Sequence, residues 1–147
     1  MERALEEARA AALRGEVPVG AVIVREGREI AAAGNETLQR CDPTAHAEMV
    51  AIRAAATTLG TERLTDCDLY VTLEPCAMCA GAISHARLRR LYYGASDPKG
   101  GAVDHGPRLF HQATIHHRPE VYGGFAEREA AALLKAFFAE RRSVGTG

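Results

Sequence analysis

The sequence predicts a three-layer α/β domain in which helices cover both faces of a mixed sheet of about five strands. Two observations predict it. Short β-branched apolar runs alternate with longer segments of helical periodicity, and two of those helical segments connect strands that should therefore run parallel. The chain has 147 residues, 47% of them apolar, which suffices for one continuous core. We therefore expect 1–147 to form a single domain, with 143–147 as a disordered tail.

The first half of the chain predicts a helix, a β-hairpin and a second helix. Apolar residues recur at helical spacing from the start of the chain until Gly15. Two apolar runs then flank the turn residues 25–28, as is typical of a hairpin. After a polar loop, Thr44 is a candidate N-cap. The predicted elements are a helix at 2–14, strands at 17–24 and 29–33, and a helix at about 45–58.

The second half predicts two strand–helix units separated by a long connection. Pro75 directly follows an apolar strand, and proline is favoured at the first position of a helix because its missing N–H needs no partner there. The Gly- and His-rich stretch 94–118 predicts an irregular connection. The predicted elements are strands at 68–73, 88–93 and 120–122, and helices at 75 to about 85 and at about 126–142.

Charge and hydropathy exclude several classes of protein. The formal net charge is −1, so the chain lacks the excess of basic residues that is typical of nucleic-acid-binding domains. The apolar runs are much shorter than the ~20 residues of a membrane span, and the N-terminus lacks the apolar region of a signal peptide. We therefore expect a soluble, cytoplasmic protein without a membrane partner. Two stretches are locally basic, either as solvated faces or as phosphate contacts. They contain Arg87, Arg89, Arg90 and Lys99, and Lys135, Arg141 and Arg142.

The pair Cys76 and Cys79 favours metal chemistry, because disulfides are rare in a reducing cytoplasm. The two thiols lie on one side of the first turn of a predicted helix. Cys41 and Cys67 are too far apart to form the second pair that a structural zinc needs. His46 opens the preceding helix, and helix N-termini meet at the carboxyl edge of parallel strands. Three ligands and one open position are typical of a catalytic zinc.

Glu48 lies two residues after His46 and is a candidate general base. At a helix N-terminus both side chains can reach one shared point, so a carboxylate there can take a proton from water and return it to a leaving nitrogen. This chemistry is that of hydrolytic deamination. A redox pair at Cys76 and Cys79 and a solvated Glu48 remain alternatives, although a redox pair leaves the His-x-Glu pattern unexplained.

The motifs VPVGAV at 17–22, DPTAHAE at 42–48 and LYVTLEPCAMCAGA at 69–82 resemble those of the zinc-dependent cytidine deaminase superfamily. Within that superfamily the chain is similar, over nearly its whole length, to the bacterial tRNA-specific adenosine deaminases. The resemblance implies a cytidine-deaminase-like fold and a homodimer. It also implies conversion of the wobble adenosine to inosine in the anticodon stem-loop of an arginine tRNA, by zinc-activated hydroxide.

The resemblance also implies residue roles and one Zn²⁺ per chain. Zinc would be held by His46, Cys76 and Cys79, Glu48 would shuttle protons, and Asn35, Ala47, Val17 and Asp97 would contact the substrate. On residue type alone, Asn35 and Asp97 would be interpreted as turn residues. The main alternative function is a deaminase of a free nucleobase or nucleoside, such as guanine or cytosine, with the same zinc site. A zinc-binding or RNA-binding module with a decayed site is a second alternative, which the intact Glu48 disfavours.

Overall fold

The structure, a computed structural model, describes the backbone of residues 1–145 and the side chains of residues 1–142. Four helices and five strands follow the predicted order, with a short 3-10 turn at Leu109–His111 before the last strand. The helices are α1 (Glu2–Leu13), α2 (Ala47–Leu59), α3 (Ala77–Ala86) and α4 (Glu127–Gly145), and the strands are β1 (Gly20–Arg25), β2 (Arg28–Gly34), β3 (Cys67–Leu73), β4 (Arg90–Ala95) and β5 (Glu120–Tyr122). The tail predicted at 143–147 includes residues outside those described and stays a prediction.

The five strands form one mixed sheet in the order β2-β1-β3-β4-β5. Strand β1 pairs antiparallel with both β2 and β3, whereas β3, β4 and β5 are parallel. Helices α2 and α3 pack together on one face, and α1 and α4 pack on the other. The predicted three-layer fold with a mixed five-stranded sheet is therefore confirmed. Among the helices of residues 1–145, none has the length and apolar character needed to cross a membrane.

Helix α1 lies directly on the sheet because small residues line their contact. Ala4 and Ala8 are fully buried on α1. A Cβ atom added at Gly20 of β1 would lie 1.9 Å from the carbonyl oxygen of Ala4 and 2.6 Å from the backbone nitrogen of Ala8. The absence of a side chain at Gly20 is therefore what permits this close approach.

Both helices on the opposite face begin later than predicted. Asp42 Oδ1 accepts hydrogen bonds from the backbone N–H of Thr44 (2.8 Å) and from its hydroxyl (2.7 Å), so Thr44 belongs to a turn and the prediction that it caps α2 is wrong. Pro75 likewise precedes α3 rather than opening it. His46 (φ −66°, ψ 154°) and Cys76 (φ −74°, ψ 177°) are the N-cap residues, with extended backbone. Two predicted zinc ligands thus stand at equivalent places in two neighbouring helices.

Candidate metal centre and active-site cavity

The fold brings His46, Cys76 and Cys79 to one point. Helix α3 begins a few residues after β3 ends, and α2 packs beside α3, so their N-termini lie together at the carboxyl edge of the parallel strands. Cys79 lies one turn into α3, on the same side as Cys76. Within the described residues these three side chains form the one cluster of potential metal ligands, with ligand atoms within 4.8 Å of one another.

The spacing of the three ligand atoms fits zinc. His46 Nδ1 lies 3.6 Å from Cys76 Sγ and 3.5 Å from Cys79 Sγ. Zinc bonds of about 2.3 Å to sulfur and about 2.05 Å to nitrogen, at a tetrahedral angle, place sulfur and nitrogen about 3.6 Å apart. Both nitrogen–sulfur distances therefore match those of a tetrahedral zinc site.

The thiols have the electrostatic character of zinc ligands. A hydrogen bond from Cys79 and the neighbouring His46 ring lower the pKa of Cys76 to about 4, whereas the same sulfur contact and burial raise the pKa of Cys79. One thiolate thus forms readily at the helix N-terminus, where the unpaired N–H groups favour negative charge. Zinc binding requires both sulfurs to be deprotonated.

Glu48 is a buried carboxylate beside this cluster. It lies on the first turn of α2, is 4% exposed and lines the same cavity as His46 and Cys76. Burial raises the pKa of the Glu48 carboxyl above its ordinary value. A carboxyl with a raised pKa holds a proton more readily, as a group that both accepts and returns one must. Ala47 is fully buried at the first position of α2, where its N–H has no intrahelical acceptor.

A cavity of about 240 Å³ opens above the cluster. It brings together six of the eight predicted site residues, and Ala47 and Cys79 lie buried at the helix starts. Five further residues complete the wall, and the sequence analysis did not identify any of them. The predicted lining residues are Val17, Asn35, His46, Glu48, Cys76 and Asp97, and the others are Val19, Thr37, Leu73, Glu74 and Gly100.

Comparison with known proteins decides the family. The model of the cytidine and deoxycytidylate deaminase zinc-binding region matches residues 1–95. The tRNA-specific adenosine deaminase of Agrobacterium fabrum is 62% identical over 142 residues, which cover 97% of this chain and 93% of that protein. The chain belongs to the tRNA-specific adenosine deaminase family. It is therefore a zinc-dependent deaminase and a hydrolase, and the predicted zinc cofactor is confirmed by the family match together with the cluster.

Solved structures of deaminases have the same fold as this chain. A structure from a study of A-to-I editing by tRNA:A34 deaminases at the wobble position of transfer RNA has a TM-score of 0.90 and 63% identity, and the match covers 91% of this chain and 97% of that one. Guanine deaminase from Bacillus subtilis has a TM-score of 0.63 and 34% identity, over 96% of this chain and 90% of that one. The cytidine-deaminase-like fold is thus common to tRNA-specific adenosine deaminases and a guanine deaminase.

Glu74 is a buried carboxylate that organises one wall of this adenosine deaminase cavity. Its side chain has no solvent exposure and accepts five hydrogen bonds. The donors to Oε2 are the N–H groups of Val103 (3.2 Å), Asp104 (3.0 Å) and His105 (3.1 Å). The donors to Oε1 are the N–H of Asp97 (3.0 Å) and His105 Nδ1 (2.7 Å). Burial opposes ionisation, but these hydrogen bonds hold the pKa of Glu74 below its ordinary value. A charged residue between an apolar strand and Pro75 was the available sequence signal.

Asp97 lines the cavity and also forms the turn that its residue type predicts. Its Oδ1 accepts hydrogen bonds from the backbone N–H groups of Gly100 (2.9 Å) and Lys99 (3.3 Å). The carboxylate therefore closes a turn, as the residue type predicts. Glu74 holds the same segment from inside, so the wall that contains Asp97 is fixed on two sides.

Arg89 and Arg90, at the start of β4, do not reach the cavity. Arg89 forms a bidentate ion pair with Asp68 (3.0 and 2.9 Å), and Arg90 pairs with Glu120 (2.6 Å). These four residues lie at the amino ends of the parallel strands, whereas Leu73 at the carboxyl end of β3 lines the cavity. The interpretation of Arg89 and Arg90 as residues of a solvated face, where they form ion pairs, therefore fits the structure better than phosphate contact.

The basic end of α4 does lie near the cavity. The Arg141 guanidinium stacks 4.4 Å from the Phe137 ring centre and donates a hydrogen bond to the carbonyl oxygen of Gly15. Phe137 and Phe138 line a second cavity of about 180 Å³, and Phe138 is 45% exposed. This second cavity shares Val17 and Thr37 with the first, so α4 lies next to the active-site cavity.

Proposed function

We propose that this protein converts the wobble adenosine of an arginine tRNA anticodon to inosine by hydrolytic deamination. The observation that carries the proposal is the buried carboxylate of Glu48 beside a ligand cluster with zinc spacing, in a cavity of about 240 Å³. The adenosine substrate follows from the family, whose Agrobacterium fabrum member is 62% identical. The choice of an arginine tRNA rests on the resemblance alone.

The roles of the site residues follow from their positions. His46, Cys76 and Cys79 would hold the zinc, which when bound supplies Lewis-acid activation of water. In the reaction a water oxygen bonds to C6 of the purine, the bond from C6 to the amino nitrogen breaks, and ammonia leaves. Glu48 accepts a proton from the water and returns it to the departing nitrogen. The free N–H of Ala47 at the start of α2 donates to the oxygen that gains charge at C6.

Three wall residues would hold the nucleotide. Asn35 is 6% exposed and lines the cavity, so its side-chain amide can hydrogen-bond a buried base. Val17 supplies an apolar wall for a purine face. Asp97 lies where its turn can contact the nucleotides next to the target, because that turn lines the same cavity. The anticodon stem-loop suits this site, since its single-stranded bases can splay out into pockets.

The alternative function is deamination of a free base. The structural similarity to Bacillus subtilis guanine deaminase supports this alternative. The test is incubation of the purified protein with an arginine tRNA whose wobble base is adenosine, beside free adenosine, guanine and cytosine. We expect inosine at the wobble position and no turnover of the free compounds. Turnover of free guanine with an unchanged tRNA would establish the alternative instead. The same tRNA with guanosine at the wobble position is the matched control and should remain unchanged.

We also propose that the protein is a homodimer and works in the cytoplasm. The homodimer is supported by the family resemblance alone, and analytical ultracentrifugation of the zinc-loaded protein tests it: a single species with the mass of one chain would contradict it. A cytoplasmic location is supported by a tRNA substrate and by two zinc-binding thiols that need a reducing environment. Cell fractionation with an antibody to the protein tests that location, and recovery in an extracytoplasmic fraction would contradict it.

A further inference from the structure

A second buried carboxylate, Glu16, lies beside the cavity and has no part in the chemistry described above. It is 1% exposed and immediately precedes Val17. Its Oε2 accepts a hydrogen bond from the backbone N–H of Gln39 (2.8 Å), and its Oε1 accepts one from that of Leu38 (3.1 Å). Glu16 therefore anchors the loop that follows Asn35. Thr37 of that loop lines the cavity.

Glu16 also contacts the side chain that is proposed to hold the base. Its Oε1 lies 3.4 Å from Asn35 Nδ2 and 3.5 Å from the Thr37 hydroxyl. Asn35 Nδ2 donates a second hydrogen bond to Thr37 Oγ1 at 3.2 Å. The Asn35 amide nitrogen is therefore engaged by Glu16 and Thr37.

The chemistry of Glu16 fixes which way the Asn35 amide points. Backbone N–H groups can only donate, and one of them is directed at each carboxylate oxygen, so the Glu16 face toward Asn35 accepts hydrogen bonds. A reversed amide would place Asn35 Oδ1 against Glu16 Oε1, with two acceptors in contact. Since Asn35 lines the cavity and its NH₂ is engaged, its carbonyl oxygen is the group left for a ligand.

We propose that Glu16 is a positioning residue that holds Asn35 Oδ1 as a hydrogen-bond acceptor for the target base. The inference rests on the proposed function, in which Asn35 contacts the adenosine. The N–H donors of the base of an adenosine are on its 6-amino group, so an acceptor at Asn35 recognises the group that leaves. Glu16 thus acts on the reaction through Asn35, and it touches no substrate atom itself.

A double-mutant cycle tests this coupling. We compare the wild type with Glu16→Gln, Asn35→Ala and the double variant on the wobble-adenosine tRNA. Glu16→Gln keeps the size of the side chain but presents an NH₂ group that allows the Asn35 amide to reverse. We expect Glu16→Gln to lower kcat about tenfold with KM changed less than about twofold, because the change acts on one proposed contact to the reacting group. In the Asn35→Ala background the same change should lower kcat by less than about twofold.

Controls separate positioning from a structural role. Glu36→Gln alters a carboxylate in the same loop that pairs with Arg40, and should leave kcat within about twofold of the wild type. Zinc content and the melting temperature are measured for every variant. If Glu16→Gln loses zinc or unfolds, Thr37→Val replaces it in the cycle, because Thr37 is the other group that holds the Asn35 amide.

The outcomes separate this inference from the function on which it rests. Losses that multiply in the double variant, or a Glu16→Gln enzyme with kcat and KM like the wild type, overturn the positioning role while leaving tRNA deamination intact. A wild-type protein that forms no inosine in the tRNA overturns both. A tenfold loss in kcat that disappears when Asn35 is removed supports the coupling, and a purely structural Glu16 would not produce it.

Discussion

The carboxylate of Glu74 provides a quantitative test of how the cavity wall is held. Glutamine at this position has the same shape but one acceptor oxygen in place of two. Its carbonyl oxygen can replace Oε2 and keep the three backbone hydrogen bonds there, from Val103, Asp104 and His105. Its NH₂ group then faces the N–H of Asp97, so that hydrogen bond is lost. His105 Nδ1 can still accept from the new NH₂ if the ring changes tautomer.

The expected loss of stability follows from the number of hydrogen bonds that are lost or weakened. One hydrogen bond to a charged group contributes about 1.5–3 kcal/mol, and the three retained bonds weaken because their acceptor becomes neutral. We expect Glu74→Gln to lower the free energy of unfolding by about 2–4 kcal/mol. For a chain of this size that loss lowers the melting temperature by roughly 5–15 °C.

Urea unfolding of the zinc-loaded protein, followed by circular dichroism, measures the stability change. Amide hydrogen exchange measures where it arises, and the N–H groups of Val103 and Asp104 should exchange faster in the variant. Glu62→Gln is the matched control, because its side chain is 86% exposed and the change should alter stability by less than about 0.5 kcal/mol. A Glu74→Gln protein as stable as the wild type, with unchanged exchange at 103–104, would refute the claim that Glu74 holds this wall.

Three further changes test the site and the fold. Glu48→Gln should retain zinc by elemental analysis but lower kcat by about 10²–10⁴, and turnover near the wild-type rate would contradict its role as proton carrier. Cys79→Ser should lose the metal and melt at a lower temperature than the zinc-loaded wild type, whereas one full equivalent of zinc would show that this thiol is not a ligand. Gly20→Ala should destabilise the fold by at least about 2 kcal/mol in urea unfolding, because the added methyl overlaps the Ala4 carbonyl. Gly81→Ala, where a Cβ atom meets nothing within 4 Å, should cause no loss and serves as its control.

The sequence predicted the order of elements because the apolar periodicity changes clearly from one segment to the next. It placed the starts of α2 and α3 too early because local signals conflicted with the metal site. Thr44 and Pro75 are good helix-starting residues by type, but His46 and Cys76 hold the extended N-cap backbone that directs their side chains to one point. Local propensity thus gave way to the geometry of a tertiary site.

The zinc ligands and Glu48 could be predicted because their spacing is a local pattern with a chemical reason. Glu16 and Glu74 could not, because their partners come from elsewhere in the chain. Glu16 binds the loop that follows β2, and Glu74 binds a segment that begins 23 residues further on. Neither set of donors has a pattern in the sequence, since backbone N–H groups are the same in every residue but proline. The sequence signal that such residues do have is a carboxylate next to an apolar strand, close to a predicted site.

Mass spectrometry of the nucleosides from an arginine tRNA, after reaction in oxygen-18-labelled water, tests the central claim most directly. Digestion with a nuclease that isolates the anticodon loop locates the product. The account predicts inosine at the wobble position, with the heavy oxygen at C6 and ammonia released, and formation of inosine at least about 10²-fold slower when Glu48→Gln replaces the wild type. Adenosine that remains intact at that position, or inosine without the label, would contradict hydrolytic deamination of tRNA by this site.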